Sequence, residues 1–259
     1  MDTAHWVGRF DSVCGVDVTE NGPHAAPRTA VVWAVLRKEL ARSDRPLTAV
    51  DVGGGTGGFA VPLAKAGHQV TVIDASPDAL AALTRRAAEA GVGERVTAVQ
   101  GDGDALADLV APGTVDLVLC HSLLEVVDDP HKVVEGLVGA LRPGGAASVV
   151  VASRAAAVLN RAINGQIAAA SLLVASPDGR GDLRDRLRRR FDVAGATELL
   201  ESSGLHVEQV HGVRIVADLV PGAVAESEHE ALQAFELALA AIPPYRDIAT
   251  QLHLLGRKR

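Results

Sequence analysis

Short apolar runs alternate with longer segments of helical periodicity along most of this chain. Residues 47–52, 69–73, 95–100, 115–120 and 146–152 are apolar and rich in Val, Leu and Ile, and they are of strand length. Between them, 28–42, 57–66, 77–90, 130–141 and 194–203 carry apolar residues at the helical period. Strands that alternate with helices predict right-handed crossovers and a doubly wound, mostly parallel sheet. Punctuation agrees with this pattern. Ser76-Pro77 is an N-cap before a first-turn proline, and Gly67 and Gly91 stand where helices end. Leu141-Arg142-Pro143-Gly144-Gly145 stops a helix and turns into the next strand.

The pattern changes after Ala152. Residues 153–190 are rich in Ala and Arg without a strand-like run, and predict a helical insertion. Within it Leu183, Leu187 and Phe191 recur every four residues, as on one helix face, and Asp185 is spaced to pair with Arg189. Arg184, Arg186, Arg188, Arg189 and Arg190 then form either a solvated face or an edge that contacts phosphates. Strands return at 205–210 and 248–255, separated by a helical segment at 226–241. With no internal repeat and no long linker, residues 1–259 are expected to form one domain. Residues 1–45 would be its helical lid and 153–192 the cap after strand five.

Composition narrows the reading. Aromatic residues make up 3% of the 259, so the core must be Ala, Val and Leu, and base stacking has little to draw on. A formal charge of −7 removes the simplest electrostatic case for nucleic acid. Cys14 and Cys120 make no disulfide framework, and Cys120 closes an apolar run as a small core residue. The N-terminus lacks a basic, then apolar, leader, and no apolar run approaches membrane-span length. A cytoplasmic protein with no membrane partner is the expectation. The histidines show no metal-ligand spacing, so no metal is expected either.

The chemistry concentrates in Val50-Asp51-Val52-Gly53-Gly54-Gly55-Thr56-Gly57-Gly58. A strand ends here and a helix follows. Glycines let the backbone turn tightly and approach a ligand, and the helix start offers unpaired N–H groups. Gly53-x-Gly55-x-x-Gly58 also matches the dinucleotide fingerprint, and Asp74 supplies the ribose-binding acid that either kind of site needs. NAD therefore stands as an alternative. S-adenosylmethionine is favoured by Asp51, placed to organise the loop and meet an ammonium group. Gly101-Asp102-Gly103-Asp104 adds an acceptor for an adenine amino group, and the tail strand looks antiparallel.

The motifs, taken in order, resemble the class I methyltransferases. They are Asp51-Val-Gly-Gly-Gly-Thr-Gly, Gly-His-Gln-Val-Thr-Val-Ile-Asp74, Val-Asp-Leu-Val-Leu-Cys-His121-Ser-Leu-Leu-Glu125 and Leu-Arg-Pro-Gly-Gly145. Arg28 with Trp33, His121 with Asp129-Pro130, Gly212-Val213-Arg214 and Pro244-Tyr245 extend the resemblance to one branch. This branch is the bacterial tRNA 5-carboxymethoxyuridine methyltransferases, which methylate a carboxylate on a wobble uridine. The resemblance implies a Rossmann-like, seven-stranded sheet with S-adenosylmethionine as cosubstrate and S-adenosylhomocysteine as product. It also implies that Arg28 binds the cosubstrate carboxylate, that Gly53, Gly54 and Gly55 line the methionine end, and that Asp74 holds the ribose. Asp102 and Gly103 would flank adenine, and His121 would face the cosubstrate.

Each of these residues also has a plainer reading. Asp74 and His121 can be helix caps, Asp102 a solvated turn residue, and Arg28 and Arg214 surface charges. A carboxylate acceptor needs no base. A phenol or amine would, and His121 is then the first candidate. Arg214 is the candidate to orient an acceptor carboxylate. Three functions follow: a tRNA carboxylate methyltransferase, a small-molecule methyltransferase, or a non-catalytic cosubstrate-binding subunit of a larger assembly.

Overall fold

A computed structural model describes residues 29–259. Seven strands form one sheet: β1 (Thr48–Val52), β2 (Gln69–Asp74), β3 (Val96–Gln100), β4 (Val115–His121), β5 (Leu141–Ala152), β6 (Leu205–Val213) and β7 (Gln251–Lys258). Their order is β3-β2-β1-β4-β5-β7-β6. All pairs are parallel except those of β7, which runs antiparallel to both β5 and β6. The order reverses between β1 and β4, the switch point where open α/β sheets form a ligand crevice.

Both faces of the sheet are covered, as continuous apolar strands require. Leu117 and Leu119 of β4 face α1 (Ala30–Leu40), α2 (Ala60–Lys65) and α3 (Pro77–Glu89). Val118 and Cys120 face the opposite layer, with α5 (Pro130–Ala140) and α8 (Val193–Ser202). The short α4 (Leu106–Leu109) lies between β3 and β4. Ser76 and Asp129 cap α3 and α5, each accepting backbone N–H groups of the first turn ahead of a proline.

The expected elements are present with shifted ends. Strand five begins at Leu141, so the Arg-Pro-Gly-Gly stretch lies within it, opposite a register irregularity between Val115 and Leu117. A short 3₁₀ turn, Arg246–Ile248, occupies the expected start of the last strand. The expected helix at 226–241 divides at Glu228 into α9 (Gly222–Ser227) and α10 (His229–Leu239).

The insertion after β5 departs further from expectation. It opens with two helices, α6 (Arg154–Ile163) and α7 (Ile167–Ala175). The expected helix through Leu183, Leu187 and Phe191 is not formed, and residues 176–191 are irregular. The cause is competition from side chains. Asp185 accepts the N–H groups of Gly181 and Leu187, and Asp182 accepts that of Arg184, in place of helical carbonyls. Leu183 is almost fully exposed, and Asp185 pairs with Arg190 and Arg161, not Arg189.

Candidate active site

The loop after β1 shows why its glycines are needed. A Cβ on Gly54 would stand 2.6 Å from the Asp51 carboxyl and 2.9 Å from Val72, so no larger residue fits. Gly55 has φ +55°, and a Cβ there would meet nothing nearer than Asp74 Oδ2 at 3.9 Å, so its face is open. Turns therefore occupy the loop up to α2, which begins at Ala60 and not at 57 as the periodicity suggested. Asp74, at the tip of β2, fastens this loop. Its carboxylate accepts the N–H groups of Gly55 and Ser76, each at 2.9 Å. Asp51 lies buried beneath Gly54. Burial, and then the negative charge of Asp74, raises its carboxyl to about 7.

Beyond the strand ends is a cavity of about 370 Å³, within the range of small-molecule sites. Gly53, Asp74, Asp102, Gly103, Leu123 and Val126 are among its walls. Asp102 precedes the 3₁₀ turn Gly103–Ala105 without capping it, so its carboxylate is not consumed by the local fold. A Cβ on Gly103 would press on Leu123 at 3.0 Å, so this wall is narrow. An elongated, part-polar ligand bearing an ammonium group fits these acceptors: a buried acid beneath the loop, an acid at β2 and an acid after β3.

His121 ends β4, next to Gly53, one residue past the Val52–Cys120 pair. Its ring meets Phe59 edge-on at 4.5 Å, and Phe59 stacks on Trp33 of α1 at 5.0 Å. His121 Nε2 and His253 Nε2 both lie 2.9 Å from Ser148 Oγ, and His253 stacks on His211 at 5.7 Å. Burial lowers the His121 imidazole to about 3 and His211 to about 4, and holds His253 well below the usual range. His121 is therefore uncharged at neutral pH.

Arg214 follows β6 on the same rim, three strands across from His121 and three residues beyond His211, the β6 residue level with it. Its backbone is left-handed at φ +62°. One terminal nitrogen pairs with Asp218 at 2.5 Å, while Nε is buried without a partner. The cap meets the rim at Glu125, whose Oε1 accepts Ala152 N–H at 2.5 Å and whose carbonyl accepts Arg188 N–H at 2.8 Å. Most of the cap's arginines are engaged. Arg154 binds the carbonyls at the end of α7, Arg189 those of Leu124, Val127 and Asp128, and Arg188 the Asp128 carboxylate.

The structure thus lines one crevice with Gly53, Asp74, Asp102 and Gly103, sets Gly54 and Gly55 in the adjoining loop with Asp51 buried beneath it, and leaves His121 beside the loop and Arg214 on the same rim. Arg28 lies outside the described residues. Ser148 and His253 were missed, and Glu125 stood in the sequence only as the end of a motif, with no role. Each is a single polar residue in an apolar run or tail, and only strand pairing brings the first two to His121. Among the described residues no cluster of His, Cys, Asp or Glu could hold a metal ion, and no helix is long and apolar enough to cross a membrane.

This fold and crevice define a nucleotide-type cosubstrate site at a sheet switch point, and comparison with known proteins gives the class and family. Residues 50–149 match the "Methyltransferase domain" family model. A ubiquinone biosynthesis O-methyltransferase of Xanthomonas euvesicatoria pv. vesicatoria is 30% identical over 73% of this chain and 74% of its own. The Escherichia coli (strain K12) tRNA 5-carboxymethoxyuridine methyltransferase is 28% identical over 89% of this chain and 88% of its own. A solved S-adenosylmethionine-dependent methyltransferase from Mesorhizobium loti shares the fold, with TM-score 0.58 and 21% identity over 88% of this chain and 98% of that one. The chain belongs to the class I S-adenosylmethionine-dependent methyltransferases, with S-adenosylmethionine as its cosubstrate.

Proposed function

We propose that this enzyme methylates a carboxylate, and that a carboxylate-bearing wobble uridine of tRNA is its acceptor. The observation that carries this reading is the setting of His121, whose Nε2 is occupied by Ser148 Oγ at 2.9 Å and whose Nδ1 is buried, so neither nitrogen is open to take a proton. A ring whose proton affinity is lowered to about 3 is a poor base for a phenol or amine, because proton transfer to it runs steeply uphill. A carboxylate arrives already ionised and needs none. The similarity that spans most of the chain, to a tRNA 5-carboxymethoxyuridine methyltransferase, supports the same acceptor.

In this reading Asp51 meets the cosubstrate's ammonium, Gly53, Gly54 and Gly55 make room for its methionine end, and Asp74 takes the ribose hydroxyls. Asp102 and Gly103 border adenine, and Arg28 forks onto the cosubstrate carboxylate. S-adenosylmethionine, when bound, supplies a methyl on a cationic sulfur that is already activated for displacement. The protein's task is to hold an acceptor oxygen in line and exclude water. Arg214, on the rim after β6, is the residue to orient the acceptor carboxylate.

A small-molecule acceptor is the second reading, and one observation favours it. The cap exposes Ile163, Ile167, Leu172 and Val174, while Arg184 and Arg186 are the residues of its arginine run whose side chains make neither an ion pair nor a hydrogen bond among the described residues. The test incubates the protein and S-adenosylmethionine with tRNA bearing 5-carboxymethoxyuridine, alongside small carboxylic acids and phenols. A base-labile methyl ester on the nucleoside is expected. Methylation of phenols alone overturns the carboxylate reading, and methylation of small acids but not tRNA favours the second one. No transfer to any acceptor, despite cosubstrate binding, would point to a non-catalytic subunit.

A further inference from the structure

The turn between β4 and α5 forms one wall of the crevice, and it belongs to no helix or strand. Its residues Leu123, Val126, Val127 and Asp128 line the cavity together with Asp74 and Asp102. Leu123 is closely seated. A Cβ on Gly103 would stand 3.0 Å from it, and one on Gly53 3.2 Å. The position of this turn therefore sets the width of the cavity.

A turn outside helix and sheet has carbonyl groups with no ladder to enter, and they need other donors. The cap supplies them. Arg189 Nη1 donates to the carbonyls of Leu124 at 2.7 Å and Val127 at 2.6 Å, and Nη2 donates to that of Asp128 at 3.0 Å. The Glu125 carbonyl accepts the Arg188 N–H at 2.8 Å, and the Arg188 guanidinium pairs with the Asp128 carboxylate. Both partners of that pair are more than half exposed, so water screens it. The guanidinium of Arg189 is planar and presents its donors in a fixed fork, so the carbonyls bound to it keep fixed mutual positions. Arg154 and Arg190 differ in this respect, because they bind groups within the cap itself. Arg189 instead ties the cap to the cavity wall, across 61 to 65 residues of chain.

We propose that Arg189 is a positioning residue for S-adenosylmethionine, holding the wall of Leu123 to Asp128 at the width the cosubstrate needs and so coupling the cap to the cosubstrate site. Arg189 lies behind the wall and acts through it. The coupling runs both ways. A ligand that holds the wall in one position also holds the contacts of Arg189, so a filled crevice tightens the cap. The proposal rests on the cosubstrate lying in this crevice and is indifferent to the acceptor.

The test is hydrogen exchange of the full chain with and without S-adenosylhomocysteine, beside calorimetry of S-adenosylmethionine. In the wild type, the ligand should slow exchange at residues 101–105 and 123–128, and also at 176–191 in the cap. In Arg189→Ala, cosubstrate affinity should fall about tenfold. At saturating ligand, 101–105 should still be slowed in this variant, while 176–191 should no longer respond. Arg189→Lys keeps the charge but loses the fork, should fall between the two, and serves if Arg189→Ala does not fold. A wild-type cap that ignores the ligand overturns the proposal. So does a folded variant with wild-type affinity and wild-type cap response. Equal loss of protection throughout the sheet in both variants would make Arg189 a general structural tie, and overturns it too. Ligand binding that leaves 101–105 unprotected would instead remove the cosubstrate from the crevice, and the proposal with it.

Discussion

At the scale of single residues, the crevice depends on groups whose small size or unusual charge the fold imposes. Gly55 stands at φ +55°, a conformation that a β-branched side chain rarely adopts, so Gly55→Val should distort the loop and abolish S-adenosylmethionine binding by calorimetry. Asp74 fastens the loop in addition to its proposed ribose contact, so Asp74→Ala should weaken binding by roughly 1–3 kcal/mol. Asp51 offers a sharper test. Its carboxyl is raised to about 7 in the free protein, and a cationic partner favours the charged form. Binding must then expel a proton below that pH. Cosubstrate affinity should rise as pH goes from about 6 to 8, by up to about tenfold per pH unit below the pKa, and then level off. Asp51→Asn should bind weakly with no such slope. A wild-type affinity that is flat across this window would remove Asp51 from the ammonium site. For Arg214→Ala, cosubstrate affinity should hold while turnover falls about tenfold, a loss of about 1.4 kcal/mol of transition-state stabilisation.

At the scale of elements, the cap is held to the rim by arginines that the sequence pattern assigned to a solvated or phosphate-contacting face. Asp185 is the hub of the irregular segment. It receives both terminal nitrogens of Arg190, at 2.6 and 2.9 Å, and two backbone N–H groups. The hydrogen bond from Arg190, outweighing burial, holds its carboxyl below the usual range. Asp185→Ala would leave Arg190 buried without its partner. Hydrogen exchange over residues 176–191 should accelerate, reflecting a local cost of about 1–3 kcal/mol, while the sheet keeps its protection. Equal acceleration throughout the sheet would mean that the cap is part of the global folding unit.

At the scale of the whole molecule, the rim opposite the crevice is stapled by charge. Asp116 of β4 is buried and meets Arg45 before β1 and Arg142 of β5, at 2.7 and 2.6 Å, and accepts Thr48 N–H. Burial alone would raise its carboxyl, but the Arg45 hydrogen bond, the Thr48 N–H and both guanidinium charges together lower it. A carboxylate depressed in the folded state stabilises above its unfolded value of about 4, and this stabilisation is lost as pH falls through the lower folded value. Wild-type melting temperature should therefore drop on acidification. Asp116→Asn should cost about 1–3 kcal/mol at neutral pH and show a shallower acid slope. Both arginines are about half exposed, so water screens the pair and keeps the cost in that range.

The order of apolar runs was enough to determine the alternating strands and helices, because the central strands β1, β4 and β5 are buried on both faces and the helices that cover them on one. The glycine loop and the acids at 74 and 102 were legible for a similar reason, since their chemistry is local and lies within a few residues of a strand end. The arginine run was misread because its spacing fits a helix equally well, and only the folded chain offers Asp182, Asp185 and the rim carbonyls as competing partners. The strip from His121 through Ser148 to His253 could not be read at all. Its polar members are 27 and 105 residues apart and carry no shared pattern. They meet because β7 inserts antiparallel beside β5, a pairing decided by the packing of the whole sheet.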